Sequence, residues 1–152
     1  MTTQTGSVSI ELLTFRIADQ EYALDIMSVR EIRGWTHATP LPHAPKYMKG
    51  VINLRGTVLP VMDLSARLGL PQREQNERNV IIVVKLEDTM TGLLVDAVSD
   101  IIALSQEDMQ PPPELSSGNA DTVVSALTLI DERMIRVLDL SATITDAESL
   151  AA

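Results

Sequence analysis

The chain has 152 residues, with 12 Lys plus Arg against 21 Asp plus Glu, a formal charge of −9 and no cysteine. Zinc fingers, iron–sulfur sites, thiol catalysis and a secreted disulfide scaffold are excluded, and an acidic surface without a basic run speaks against nucleic acid. The length suits one domain, built as one body or as two small lobes, that can bury a core without a staple.

In chain order, residues 1–8 are Thr- and Ser-rich and read as a tail without the basic start and apolar stretch of a signal peptide. Leu13, Phe15 and Ile17 alternate with Thr14 and Arg16, the period-2 mark of a half-buried strand. A turn at Ala18-Asp19-Gln20 leads into a second strand over 21–26, and 29–33 alternates again up to Gly34. The segment 40–45 is punctuated by proline and is irregular. Residues 51–54 and 57–62 form a hairpin around Arg55-Gly56, with Pro60 marking an edge or a bulge. A short helix over 63–69 has an Asp start and a Gly stop. Residues 72–79 are polar and read as a linker between halves. Further hairpins are expected over 80–86 and 91–95, and over 123–129 and 134–138, with a proline-led loop from 111 to about 121 between them. Residues 141–152 are a weak amphipathic helix or a tail, and runs such as 80–84 are too short to span a bilayer. A cytoplasmic protein without membrane insertion is expected.

The two halves repeat. Residues 58–68 align with 134–144 at an offset of 76, with five of 11 positions identical, and 15–32 align with 84–101 at an offset of 69. The apolar positions largely coincide, which predicts an all-β fold of two pseudo-symmetric units with about five short strands each. Such short strands bury their edges best as small barrels. The expected domain spans 9–145 with its lobes divided near 71–79, flanked by tails 1–8 and 146–152.

Catalytic patterns are missing. The seven glycines form neither GxGxxG nor GxxxxGK[ST], and Gly50 and Gly56 read as turn glycines. His37 and His43 are the only histidines, six apart in a proline-rich segment, which suits neither a zinc site nor a Ser–His pair. Asp96 and Asp100 read as the solvated face of an alternating segment, and Asp63 and Asp139, at equivalent repeat positions, as helix caps. No enzyme activity, cofactor or metal is expected. Glu31, between Val29 and Ile32, and Arg55, beside Gly56, are either solvated charges or a recognition pair on a rigid β surface.

The stretch Met48-Lys49-Gly50-Val51-Ile52-Asn53-Leu54-Arg55-Gly56, followed by Val58-Leu59-Pro60-Val61-Met62-Asp63-Leu64, closely resembles the CheW family of chemotaxis coupling proteins. Tyr22-Ala23-Leu24-Asp25-Ile26, Val29-Arg30-Glu31-Ile32-Arg33 and Gly92-Leu93-Leu94-Val95-Asp96 extend the resemblance to nearly the whole chain, from about Leu12 to Leu140. The resemblance implies two five-stranded SH3-like β barrels and a non-enzymatic adaptor, monomeric when free. Its implied partners are the cytoplasmic tip of methyl-accepting chemoreceptors and the regulatory domain of the histidine kinase CheA. It maps receptor coupling to Val29, Glu31, Ile32, Arg55 and Val98, kinase binding to Gly50, Val58 and Leu59, and a lateral ring contact to Glu114 and Leu115. A two-barrel binding module with other partners is the alternative.

Overall fold

The structure is a computed structural model that describes residues 9–71, 78–112 and 123–144. Ten strands follow in order: β1 Ser9–Ile17, β2 Gln20–Asp25, β3 Val29–Gly34, β4 Met48–Leu54, β5 Thr57–Asp63, β6 Val80–Leu86, β7 Thr89–Val95, β8 Ala97–Ser105, β9 Val124–Ile130 and β10 Arg133–Leu138. Helix α1, Leu64–Arg67, follows β5, and a helical turn over 140–144 follows β10.

Two five-stranded sheets result, ordered β8-β1-β2-β10-β9 and β3-β6-β7-β5-β4. Both close in the same way. Just past β8, Gln110 bridges to Leu127 in β9, and past β3, Thr39 bridges to Val51 in β4. The two edge strands of each sheet are thereby joined, and each sheet is a small barrel without a free edge pair. We refer to them as the β1 barrel and the β4 barrel.

Under the repeat the two strand orders correspond position by position, but the barrels are not the two halves of the chain. Hairpin β1–β2 pairs with β8 and β10 of the second half, and hairpin β6–β7 pairs with β3 and β5 of the first. The halves have exchanged their leading hairpins, so the chain's midpoint near 71–79 separates the repeats and not the barrels. Of that linker, residues 72–77 lie outside the described residues.

Strand alternation sorts the apolar side chains into three clusters. Ile52, Leu59, Val61, Ile81, Val83 and Leu94 fill the β4 barrel. Leu12, Ala23, Ala126, Ile135 and Val137 fill the β1 barrel. The largest cluster, with Phe15, Leu24, Met62, Leu64, Ile82, Leu93 and Leu138, draws on both sheets and cements them together. The caps are where the repeat puts them. Asp63 Oδ1 accepts from Ser65 N at 3.1 Å, and Asp139 Oδ1 accepts from Ala142 N, also at 3.1 Å. Helix α1 ends with Leu70 N donating to Ser65 O and Gly69 N to Ala66 O, with Gly69 at φ +78°, the paired bonds of a Schellman stop. Arg67 then donates from Nε to Thr143 O at 3.1 Å, tying α1 to the equivalent helical turn of the other repeat.

Three local expectations are corrected. Strand β5 is interior, between β7 and β4, so of the two readings of Pro60 the edge falls, and the register shift of this hairpin lies in β4 between Met48 and Gly50. The pairing of β5 with β7 covers only Val61–Asp63, so the residue without an N–H falls just outside that ladder. Gly50 is no turn glycine: at φ +144° it lies where a Cβ would come within 2.1 Å of Thr39 O, and it permits the crossing that closes the β4 barrel. Asp96 is more than a solvated carboxylate, because its Oδ2 accepts from Ala18 N at 2.7 Å in the β1–β2 turn.

Candidate functional site

The β4–β5 loop has two residues, Arg55 and Gly56, at φ +50° and +89°, the mirror-image turn that matches strand twist. Asn53 Oδ1 accepts from Gly56 N at 2.8 Å and fixes the turn. Arg55 is thus held outward at the rim of the β4 barrel.

Glu31 reaches the same rim from β3 because of a bulge. Val29 pairs with Val84 and Glu31 with Val83, leaving Arg30 as the extra residue. Val84 belongs to the central core and Val83 to the barrel interior. The bulge therefore turns Val29 towards the central core and Glu31 towards the barrel mouth, two residues that regular alternation would put on one face. The same bulge recurs at Ser99 of β8, where Thr14 pairs with Asp100 and Phe15 with Val98.

Arg55 Nη2 donates to Glu31 Oε1 at 2.6 Å, and Arg33 Nη1 donates to Glu31 Oε2 at 3.3 Å. One carboxylate thus takes two guanidinium groups, linking edge strand β3 to the β4–β5 turn across the closure of the barrel. The Arg55 hydrogen bond outweighs the loss of hydration and holds the Glu31 carboxyl below its ordinary range. Next to Glu31 in β3, Ile32 is 47% exposed, and just past the turn in β5, Val58 is 68% exposed. A cavity of about 410 Å³ lined by Arg33, Thr39, Val51, Asn53 and Val58 adjoins the pair.

The other residues named from the resemblance divide by burial. Val29 and Val98, equivalent under the repeat, both pack at the margin of the central core, half-buried. Leu59 is 1% exposed and belongs to the barrel interior, and Gly50 is buried beneath Thr39, so neither offers a side chain to a partner. Of the three kinase-side positions, only Val58 lies on the surface; Gly50 and Leu59 shape what surrounds it. Glu114 and Leu115 lie outside the described residues. Sequence reading missed the duplicated apolar surface: Ile101, at 55% exposure, and Met134, at 49%, stand at the repeat equivalents of Ile32 and Val58. Applying the two offsets to the exposed positions would have found them.

Residues 11–148 match the family model described as the CheW-like domain. The chain is 53% identical over 142 residues to the probable chemotaxis protein CheW of Rhizobium etli, covering 93% of this chain and 92% of that protein. It is 50% identical, over the same share of each chain, to the chemotaxis protein CheW of Rhizobium meliloti. Among solved structures it is similar to the scaffolding protein TtCheW from Thermoanaerobacter tengcongensis, with a TM-score of 0.80 and 31% identity over 87% of this chain and 90% of that one. With a match over nearly its full length and the two-barrel fold in place, the chain belongs to the CheW-like domain family.

Proposed function

We propose that this chain is a non-enzymatic scaffold of chemotaxis signalling, coupling chemoreceptors to the histidine kinase CheA on the cytoplasmic side of the membrane. The role is supported by the family match and by relatives described as chemotaxis and scaffolding proteins. The surface assignment is carried by one observation: a tight turn and a bulge fix the Glu31–Arg55 pair at the rim of the β4 barrel, where one carboxylate takes two guanidinium groups. In this reading Glu31, Ile32 and Arg55 meet the receptor tip, with Val29 and Val98 supporting the surface from the core margin. Val58 meets the regulatory domain of CheA, positioned by Gly50 and Leu59, and Glu114 and Leu115 form a lateral contact in the array. The free chain is a monomer.

The test is a reconstituted receptor–adaptor–kinase assay with Glu31→Ala, Arg55→Ala and the swap Glu31→Arg with Arg55→Glu. An exposed ion pair contributes little to folding because water screens it, so both single variants keep near-wild-type melts. At an interface, loss of one charge leaves its partner group unpaired and costs more, so receptor control of the kinase falls while folding persists. Recovery in the swap identifies the pair itself as the element read; no recovery means that a partner reads each charge separately. Wild-type coupling in both single variants overturns the assignment of this surface.

A further inference from the structure

The β1 barrel carries a group of arginines that the rim pair does not involve. Arg16 of β1 and Arg133 and Arg136 of β10 line one open cleft of about 300 Å³ with Asp19, Glu21 and Met134. Three guanidinium groups in one cleft run against the composition of a chain with a net charge of −9.

Internal partners account for part of this charge only. Glu21 is buried and accepts from Arg133 Nη1 at 2.9 Å. Arg136 lies over the Tyr22 ring, with Cζ 5.5 Å from the centroid, an arrangement that orients the guanidinium and leaves its charge in place. Arg16 is exposed and, among the described residues, in no ion pair. The fold does not require the group. Under the repeat, Arg16, Arg133 and Arg136 correspond to Lys85, Thr57 and Pro60, and Glu21 to Met90. The β4 barrel builds the same place with one cation.

Spacing and surroundings define the occupant. Strands β1 and β10 flank β2, so the backbone anchors of Arg16 and Arg136 are two strand spacings apart, on the order of 10 Å. Side chains as long as arginine's can lean inward to the roughly 7 Å between alternate residues of an extended chain, so both guanidinium groups can take carboxylates on one face of a peptide strand. Met134, 49% exposed, adds an apolar contact inside the cleft. We infer that the cleft between β1 and β10 docks an acidic, extended peptide segment of a partner protein, its carboxylates on Arg16 and Arg136 and an apolar side chain on Met134. This site is separate from the rim surface and does not depend on which receptor or kinase is coupled.

The test is fluorescence anisotropy on the full chain with a labelled peptide of alternating glutamate and leucine. Saturable binding is expected, weakening as salt is raised because the contacts are exposed charges. Arg16→Gln with Arg136→Gln should weaken it about tenfold or more, and Lys85→Gln, at the equivalent place in the other barrel, should leave it unchanged. Arg16→Gln alone, which removes an exposed side chain in no ion pair, should weaken it several-fold and guards against loss of the Arg136–Tyr22 stacking. Three results overturn the inference: no saturable binding, equal affinity in wild type and both Arg16 variants, or full competition by millimolar inorganic phosphate, which would make this a small-anion site.

Discussion

Glu31 gives the rim pair a pH dependence whose sign follows from its carboxyl. Arg55 lowers the folded-state value below the ordinary 4.5 of an unfolded glutamate. The pair's contribution is therefore complete above that ordinary value and is lost as pH falls through the lowered one. In an NMR titration, Arg55→Ala should move the Glu31 midpoint upwards towards 4.5, and an unchanged midpoint would mean that Arg55 does not hold the carboxylate in solution. The outward place of Arg55 was legible in the sequence because a charge beside Gly in a two-residue loop turns outward, while its pairing with Glu31 stayed open between solvated charges and a recognition pair. Gly50 and Leu59 were not: apolar periodicity cannot tell an interior position from a rim position on a barrel whose curvature is set by distant strands. The signal of the bulge was present, since Val29 and Ile32 are three apart and break the period of two.

At the scale of elements, the repeat makes local devices appear twice, and the two hairpin turns differ in how well their sequences suit them. The β4–β5 turn has Gly56 at its second place, whereas the equivalent β9–β10 turn has Asp131 and Glu132 at φ +49° and +68°. A non-glycine residue there costs about 1 kcal/mol, so Glu132→Gly should stabilise the chain and raise its melting temperature by about 2–4 °C. A lowered melt would show that the Glu132 side chain contributes more than the turn loses. Gly50→Ala places a methyl group against the Thr39 carbonyl and should cost about 2 kcal/mol or more, read as a lower denaturant midpoint. Leu64 and Leu140 follow the two caps and are both buried. Alanine at either should cost about 2–5 kcal/mol in denaturant melts. Losses below about 1 kcal/mol at both would contradict their place in the shared core.

For the whole molecule, the repeat and the hairpins were legible but the partnering was not. A period of two states which face a residue occupies, and it is silent on which of nine other strands lies alongside. The exchange of hairpins is decided by contacts such as Thr14 Oγ1 with Asp100 O, 86 residues apart. Neither half holds all the strands of a barrel. Fragments 1–74 and 75–152 made separately should thus show no cooperative melt, and mixed they should recover a folded one-to-one complex. A cooperative transition in either fragment alone would show that a half can close a barrel from its own strands.

The exchange also governs how the chain emerges during synthesis. The barrel-facing apolar side chains of β1 and β2 find no lasting cover until β8 and β10 have left the ribosome. At ordinary elongation rates the 86 residues between Thr14 and Asp100 take on the order of 10 s. Through that interval the nascent hairpin presents its barrel face, with Leu12 and Ala23, to the surrounding cytosol, a window open to capture by a chaperone.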